Sequence, residues 1–344
     1  MFAVNSNAAV VLQYHHIDLQ TPSATSISPQ LFREHMAYLA SNQFNVIHLA
    51  QFIEYLRTQK PFPPKTVLIT FDDGYQSVAT QAAPILKTYG FPFTVFINTQ
   101  PITEQSSLVM TWETLGKLAA NGATIANHSV AHPHMIRRLA NESDAQWNKR
   151  ITNEVLQAQQ LIEQHFPQKI RAFAYPYGEF NLALTKILKT LGFVGFAQHS
   201  GAVAVNVDQQ VIPRFPFGGN YGDINDFILK VNTQALPITD IVLLDQNNRI
   251  LTEHVLTNHQ HRPQLQLQLD PTFKAVDIQC YLSGQGRLTK ISLAENNWIF
   301  KPEKDIPFAR SRYNCTAPTK VKGEFYWFSQ PWIRPLQDGS WYTE

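Results

Sequence analysis

Up to about residue 235, short β-branched or aromatic runs alternate with segments whose apolar residues recur every three to four positions, the mark of strands alternating with helices. The pattern predicts strands over Val10–Tyr14, Val67–Phe71, Phe93–Ile97, Thr124–Ala126 and Ala172–Tyr175. It predicts helices over Pro29–Ser41, Leu49–Thr58, Ser77–Tyr89, Thr111–Asn121, Asn148–Phe166 and Asn181–Leu191. Several of these helices start after Ser, Thr, Asp or Asn and stop before glycine, as at Tyr89–Gly90, Asn121–Gly122 and Leu191–Gly192. Those are the residues that satisfy the free N–H groups at a helix start and adopt the left-handed turn at its end. Strand–helix repeats of this length close into a barrel or a doubly wound sheet, with functional loops at the C-terminal strand ends.

From Leu236 the helical period fades and strict alternation takes over, as in Gln264-Leu265-Gln266-Leu267-Gln268-Leu269. Strands are expected near Ile241–Leu244, Ile250–Leu256, Leu265–Leu269, Val276–Leu282, Lys290–Leu293 and Glu324–Phe328, at the spacing of a small β-sandwich. The expectation is therefore an α/β domain over residues 1–235 followed by an all-β domain over 236–344. The sequence has no internal repeat and no low-complexity tract.

Charge and composition narrow the partners. The 344 residues carry 28 Lys+Arg against 26 Asp+Glu, a net charge of +2 that gives no reason to expect nucleic acid or an anionic membrane surface. No apolar run approaches the roughly 20 residues that cross a bilayer, so no transmembrane segment is expected. Met1–Ala9 lacks the basic and long apolar regions of a secretory signal, which leaves either a cytoplasmic protein or an exported one whose signal is missing from this sequence. The cysteines, Cys280 and Cys315, both lie in the second domain, and either a disulfide or two thiols in the core would suit them.

Four segments carry candidate chemistry. The strand Val67–Phe71 runs into Asp72-Asp73-Gly74, two adjacent carboxylates at a strand end. One of such a pair can ligate a metal while the other takes a proton, although Asp-Asp-Gly is also a common turn. After Thr124–Ala126 comes His128-Ser129-Val130-Ala131-His132. In a helical turn that spacing would bring both rings to one face and within reach of one ion, although most such pairs are surface histidines. His134 would lie on another face, in a structural role. Phe173-Ala174-Tyr175-Pro176-Tyr177-Gly178 is an irregular turn at a strand end, able to offer a main-chain N–H to an oxyanion or to be an ordinary aromatic turn. Finally Val10–Leu12 runs into Gln13-Tyr14-His15-His16, which brings a side chain that ordinarily titrates near neutrality to the same sheet end, or else a satisfied core histidine.

Together these segments resemble the polysaccharide deacetylases of carbohydrate esterase family 4, which share the NodB homology domain; the resemblance covers about residues 8–230. It implies a distorted (β/α) barrel of the NodB type. Thr70-Phe71-Asp72-Asp73-Gly74 matches a motif in which the first Asp is the catalytic base and the second a metal ligand, and His128-Ser129-Val130-Ala131-His132 one whose histidines complete the metal triad. Tyr175-Pro176-Tyr177-Gly178 is similar to a third, whose tyrosine N–H, here Tyr177, helps form the oxyanion hole. The N-terminal Tyr-His pair resembles the subgroup that deacetylates poly-β-1,6-N-acetylglucosamine, so His15 is the implied acid, with His16 and then His199 as its substitutes.

One departure stands out. The third motif ordinarily has an Arg directly before its Pro-Pro-Tyr, where this chain has Ala174-Tyr175, which leaves the group that orients Asp72 open, with Arg171 and Arg214 as the candidates to take over. What the resemblance then implies is hydrolysis of N-acetyl groups on an extracytoplasmic polysaccharide of the cell envelope or biofilm, with a divalent ion, zinc before cobalt or nickel. Chitin oligomers and peptidoglycan remain alternative substrates, and a non-catalytic glycan-binding relative the alternative to an enzyme. In the second domain Trp298, Tyr326, Trp327, Trp332, Trp341 and Tyr342 are either sandwich core or platforms for sugar rings.

Overall fold

A computed structural model of the chain describes residues 8–167, 169–273 and 277–343. It divides into two compact units, one of Met1–Gln198 with Val203–Asn232, the other of His199–Ala202 with Thr233–Glu344. The first unit is built on eight strands: β1 (Ala9–Tyr14), β2 (Asn45–Val46), β3 (Thr66–Phe71), β4 (Thr94–Ile97), β5 (Thr124–Asn127), β6 (Ala172–Ala174), β7 (Val194–Phe196) and β8 (Phe215–Pro216). Their order is β8-β1-β3-β4-β5-β6-β7, with β2 on the start of β3. Every pairing among them is parallel. The result is a curled half-barrel whose strands all end at one rim. Parallel strands need crossovers, and the helices α1 (Pro29–Ser41), α2 (Leu49–Thr58), α3 (Ala83–Tyr89), α4 (Thr99–Thr103), α5 (Trp112–Ala120), α6 (Asp144–His165) and α7 (Leu182–Thr190) lie in them, while α8 (Ile224–Val231) follows the last strand. The strands are buried along their whole length in β1, β3, β4 and β5, which is why their sequences read as continuous apolar runs rather than as alternation. Val11, Leu68, Phe96, Ala126 and Phe196 meet Leu49, Phe52 and Leu56 of α2 in one core.

Two elements differ from the pattern-based expectation. Ser77–Tyr89 is broken into a wide turn over Val78–Ala82 and the short α3. Pro84 sits in its first turn and has no N–H to donate, so the regular ladder cannot pass through it. The helix expected from Asn148 starts at Asp144, because Ser143 and Gln146 form a reciprocal capping box that the polar first turn hides from periodicity.

The second unit stacks two five-stranded sheets. One orders the strands Gln234–Ala235, Phe325–Arg334, Ala309–Pro318, Gln279–Leu282 and Gly286–Arg287. The other orders Ile250–Leu251, Ile238–Leu244, Gln264–Leu269, Asn297–Lys301 and Thr289–Ala294. Leu265, Leu267 and Leu269, the apolar half of the alternating run, pack with Leu282, Tyr313 and Trp332 of the facing sheet. Cys280 lies directly opposite Cys315 on the neighbouring antiparallel strand and is bonded to it. The expected Ile250–Leu256 shrinks to two residues. Ala309–Pro318, among the longest strands, was not expected, although buried Tyr313, Cys315 and Ala317 alternate with Arg312, Asn314 and Thr316 at the period of a half-buried strand. Val276, part of one expected strand, lies outside the described residues.

Candidate active site

The rim collects what four strands deliver. β3 ends on Phe71, and Asp72 continues the ladder by donating its N–H to the Tyr14 carbonyl at 2.9 Å. The chain then turns through two left-handed residues, Asp73 at φ 67° and Gly74 at φ 70°. Glycine is required at the second, where a Cβ would come within 3.0 Å of the Ile97 side chain. This turn splits the adjacent carboxylates into two environments.

Asp73 faces the histidines. Its Oδ1 lies 3.4 Å from His128 Nε2 and 3.5 Å from His132 Nε2, and one donor atom from each of the three falls within 4.8 Å of the others. The pair His128/His132 is not on a helix, contrary to the spacing argument. Instead Ser129 and His132 adopt left-handed backbone at φ 75° and 55°, so an open loop folds the second ring back toward the first. That loop is tied down: Glu154 of α6 accepts from the N–H groups of Val130 and Ala131, and Ser129 Oγ accepts from the His132 N–H. His128 Nδ1 is 2.7 Å from the Ala174 carbonyl and donates to it, which fixes the ring with Nε2 facing Asp73. Burial would raise the Asp73 pKa, but the hydrogen bond and charge of His128 hold it below the usual carboxylate range. His132 is pushed down to about 4 by burial and by His128. A carboxylate and two imidazoles, which give up the facing proton when they ligate, form a donor set fitted to a divalent ion of borderline softness.

Asp72 is the opposite case, buried and held by a cation. Arg214, itself fully buried, clamps it with two parallel bonds, Nη1 to Oδ1 and Nη2 to Oδ2, both 2.7 Å. Arg214 Nε donates to the Ala197 carbonyl at 2.9 Å, which fixes the plane of the fork. Gln13 Nε2 adds a third bond, to Oδ2 at 2.6 Å. Burial works to raise the Asp72 pKa, yet Arg214 keeps it lowered, so the group is an anion across the physiological range. Arg171, the other arginine expected to be able to orient it, is exposed and donates to the Leu191 carbonyl.

Among the histidines, His15 Nε2 stands 4.0 Å from Asp72 Oδ2. His16 stacks on Tyr75 at 3.6 Å, and Tyr75 hydrogen-bonds Asp73. His199 belongs to the second unit, where burial, Arg312 and His254 push it down to about 3. Tyr177 sits at the bend after β6 with φ 58°, its ring stacked 3.8 Å from His134, whose Nδ1 bonds the buried Glu179. Gly178 is needed next to it, since a Cβ would meet the Gln198 side chain at 2.3 Å. Of the pair Ala174-Tyr175 that departs from the customary motif, Ala174 is the buried last residue of β6 and Tyr175 a buried aromatic whose hydroxyl donates to the Gln210 carbonyl. Sequence reasoning overlooked Gln13, Tyr75 and Glu154. Only Gln13 left a trace, as a polar residue in a buried strand.

An all-parallel half-barrel that carries an Asp–His–His cluster and a second, cation-clamped aspartate on its C-terminal rim defines a hydrolase of the NodB type. Residues 59–196 match the family described as polysaccharide deacetylase, and the chain carries a domain of that family. It is 26% identical over 227 residues to the poly-beta-1,6-N-acetyl-D-glucosamine N-deacetylase of Staphylococcus epidermidis, a match spanning 60% of this chain and 78% of that one. The structure of IcaB from Ammonifex degensii superposes with a TM-score of 0.54 at 25% identity, over 60% of this chain and 91% of its own. The Streptococcus pyogenes deacetylase PplD, solved in complex with acetate, shares the fold with a TM-score of 0.59 at 20% identity, over 66% of this chain and 99% of its own.

Proposed function

We propose that the protein is an extracytoplasmic, zinc-dependent N-deacetylase of poly-β-1,6-N-acetylglucosamine, with residues 1–235 catalytic and 236–344 an accessory glycan-binding domain. The observation that carries the chemistry is the pairing of two unlike sites a residue apart: Asp73, His128 and His132 with donor atoms within 4.8 Å, beside Asp72 held as an anion by Arg214. Asp73, His128 and His132 would hold the ion, which would supply Lewis acidity and bring the pKa of a water toward 7.

The chain's own groups do the rest. Asp72 has both oxygens engaged by Arg214 but keeps further lone-pair directions, and it takes the proton as water attacks the acetyl carbon. The Tyr177 N–H meets the developing oxyanion. His15, 4.0 Å from Asp72, returns a proton to the leaving amine, so acetate departs and a glucosamine nitrogen remains. The similarity to the staphylococcal enzyme supports the β-1,6-linked polymer, and the Cys280–Cys315 bond agrees with an oxidising compartment.

The test is acetate release across a panel of acetylated glycans, with and without chelator, for the parent and for Asp72→Asn. The variant is expected to keep its metal content while kcat falls by about 10²–10⁴. Full turnover by Asp72→Asn, or turnover indifferent to chelation, would reject the mechanism.

A further inference from the structure

Of the aromatic residues that sequence reasoning offered to a glycan, Trp332 and Tyr342 are buried, and Trp298, Tyr326, Trp327 and Trp341 are only partly exposed. Two other rings of this unit, Tyr281 and Phe308, are exposed, and the second lines a cavity. Phe308 is 41% exposed and lines a cavity of about 620 Å³ with Asn258, His259, Asp305, Arg334 and Gln337. Arg334 packs 4.4 Å over that ring and is itself largely buried, and its Nε–H has no acceptor among the described residues.

A second cavity, of about 580 Å³, lies on the same unit and is lined by Gln246, Asn248, Arg262, Gln264, Lys301 and Glu303 among others. The two are neighbours whose linings touch. Gln246 of one donates to the His259 carbonyl of the other at 2.8 Å, and Arg262 of one lies 3.5 Å from Asp305 of the other. Each is of the size that takes a small ligand, and two neighbouring subsites suit successive units of one polymer, a track across the unit.

We propose that this track on the β-sandwich unit binds a run of N-acetylglucosamine units and discriminates against the deacetylated polymer. The proposal rests on the function proposed above for its choice of sugar. An exposed ring suits the apolar C–H face of a pyranose, and planar amide and guanidinium groups suit its fringe of hydroxyl and acetamido groups. The discrimination comes from charge. Three cations, Arg262, Lys301 and Arg334, face two acids, Glu303 and Asp305. Asp305 is already engaged, 2.9 Å from His261 Nδ1 and 3.5 Å from both Arg262 and Arg334. A neutral acetamido sugar meets hydrogen-bond donors there. An ammonium, which deacetylation creates, meets like charge. The accessory unit thus holds unprocessed polymer and lets processed polymer go.

The experiment uses the full chain as Asp72→Asn, so that ligand is not consumed, and measures binding of a β-1,6-linked N-acetylglucosamine hexamer, its β-1,4-linked counterpart and the fully deacetylated β-1,6 hexamer. Phe308→Ala, at an exposed position, is expected to weaken binding of the acetylated hexamer about tenfold. His259→Ala, also exposed, is expected to weaken it too, and the deacetylated hexamer is expected to bind more weakly than either acetylated one. With Asp72 restored, Phe308→Ala should raise KM on long polymer and leave kcat, and turnover of an acetylated disaccharide, unchanged. Unaltered hexamer affinity in both variants, or equal affinity for the acetylated and deacetylated forms, overturns the track. Absence of acetate release by the parent from every glycan would instead defeat the catalytic reading alone, since hexamer binding judges the track independently.

Discussion

Arg214 shows how one side chain fixes the chemistry of another. A buried carboxylate left alone would rise in pKa and lose its charge; paired in two-pronged fashion with a buried guanidinium it stays ionised and in one orientation. Removing the arginine leaves an uncompensated buried charge, so Arg214→Met is expected to lower stability by about 3–5 kcal/mol as well as kcat. The check is urea unfolding of Arg214→Met against the double variant Arg214→Met/Asp72→Asn. The second change should recover part of the lost stability, because it removes the stranded anion, and simple additivity would argue against the pairing. The residue was half legible: an arginine framed by Ile212, Pro213 and Phe215 reads as a buried cation in want of a partner, but nothing in the chain identifies that partner as Asp72, 142 positions away.

At the scale of elements, α1 is locked to the end of β1 by His35. Its Nδ1 lies 3.1 Å from the Tyr14 hydroxyl and its Nε2 2.9 Å from the Gly222 carbonyl, and its ring stacks 3.9 Å from Phe227 of α8. Burial pushes its pKa from 6.5 down to about 3, helped by Lys230. A histidine neutral when folded and ready to charge when unfolded favours the unfolded chain in acid. Its stability contribution is therefore whole above about pH 6.5 and is lost as the pH falls toward 3, by up to about 1.4 kcal/mol per pH unit. His35→Gln should be less stable at pH 7 but decline less steeply from pH 6.5 to 4 in denaturant midpoints; parallel declines would show that His35 is not the titrating group. The helix itself was plain from its Ser28 cap and Pro29 start, whereas the bond between helix and strand joins residues 21 apart in sequence and has no local signature.

For the whole molecule, the two units differ in what holds them. The half-barrel relies on buried parallel strands, while the β-sandwich, much smaller, adds the Cys280–Cys315 bond, which closes a span of 35 residues. On chain-entropy grounds this bond contributes about 3–4 kcal/mol to the unit that contains it. Cys280→Ser/Cys315→Ser is expected to lower the melting transition of the β-sandwich and leave the metal content of the half-barrel unchanged, measured by calorimetry and metal analysis. A coincident loss of metal would contradict that division.

What the sequence determined by itself was everything set by local period and local chemistry: the strand–helix alternation, the change of texture at Leu236, the capped helices, and the presence of Asp72, Asp73, His128, His132 and Tyr177 at strand ends. Only the tertiary structure decided which strand ends share a rim, that left-handed turns at Asp73, Ser129 and His132 aim those groups at one another, and that Arg214 rather than Arg171 holds Asp72. The division has a physical cause. Propensity and period act over a turn or a strand, whereas a binding site is made by parallel pairing that brings together residues far apart in the chain, and the closing of those long loops leaves no mark on the residues in between.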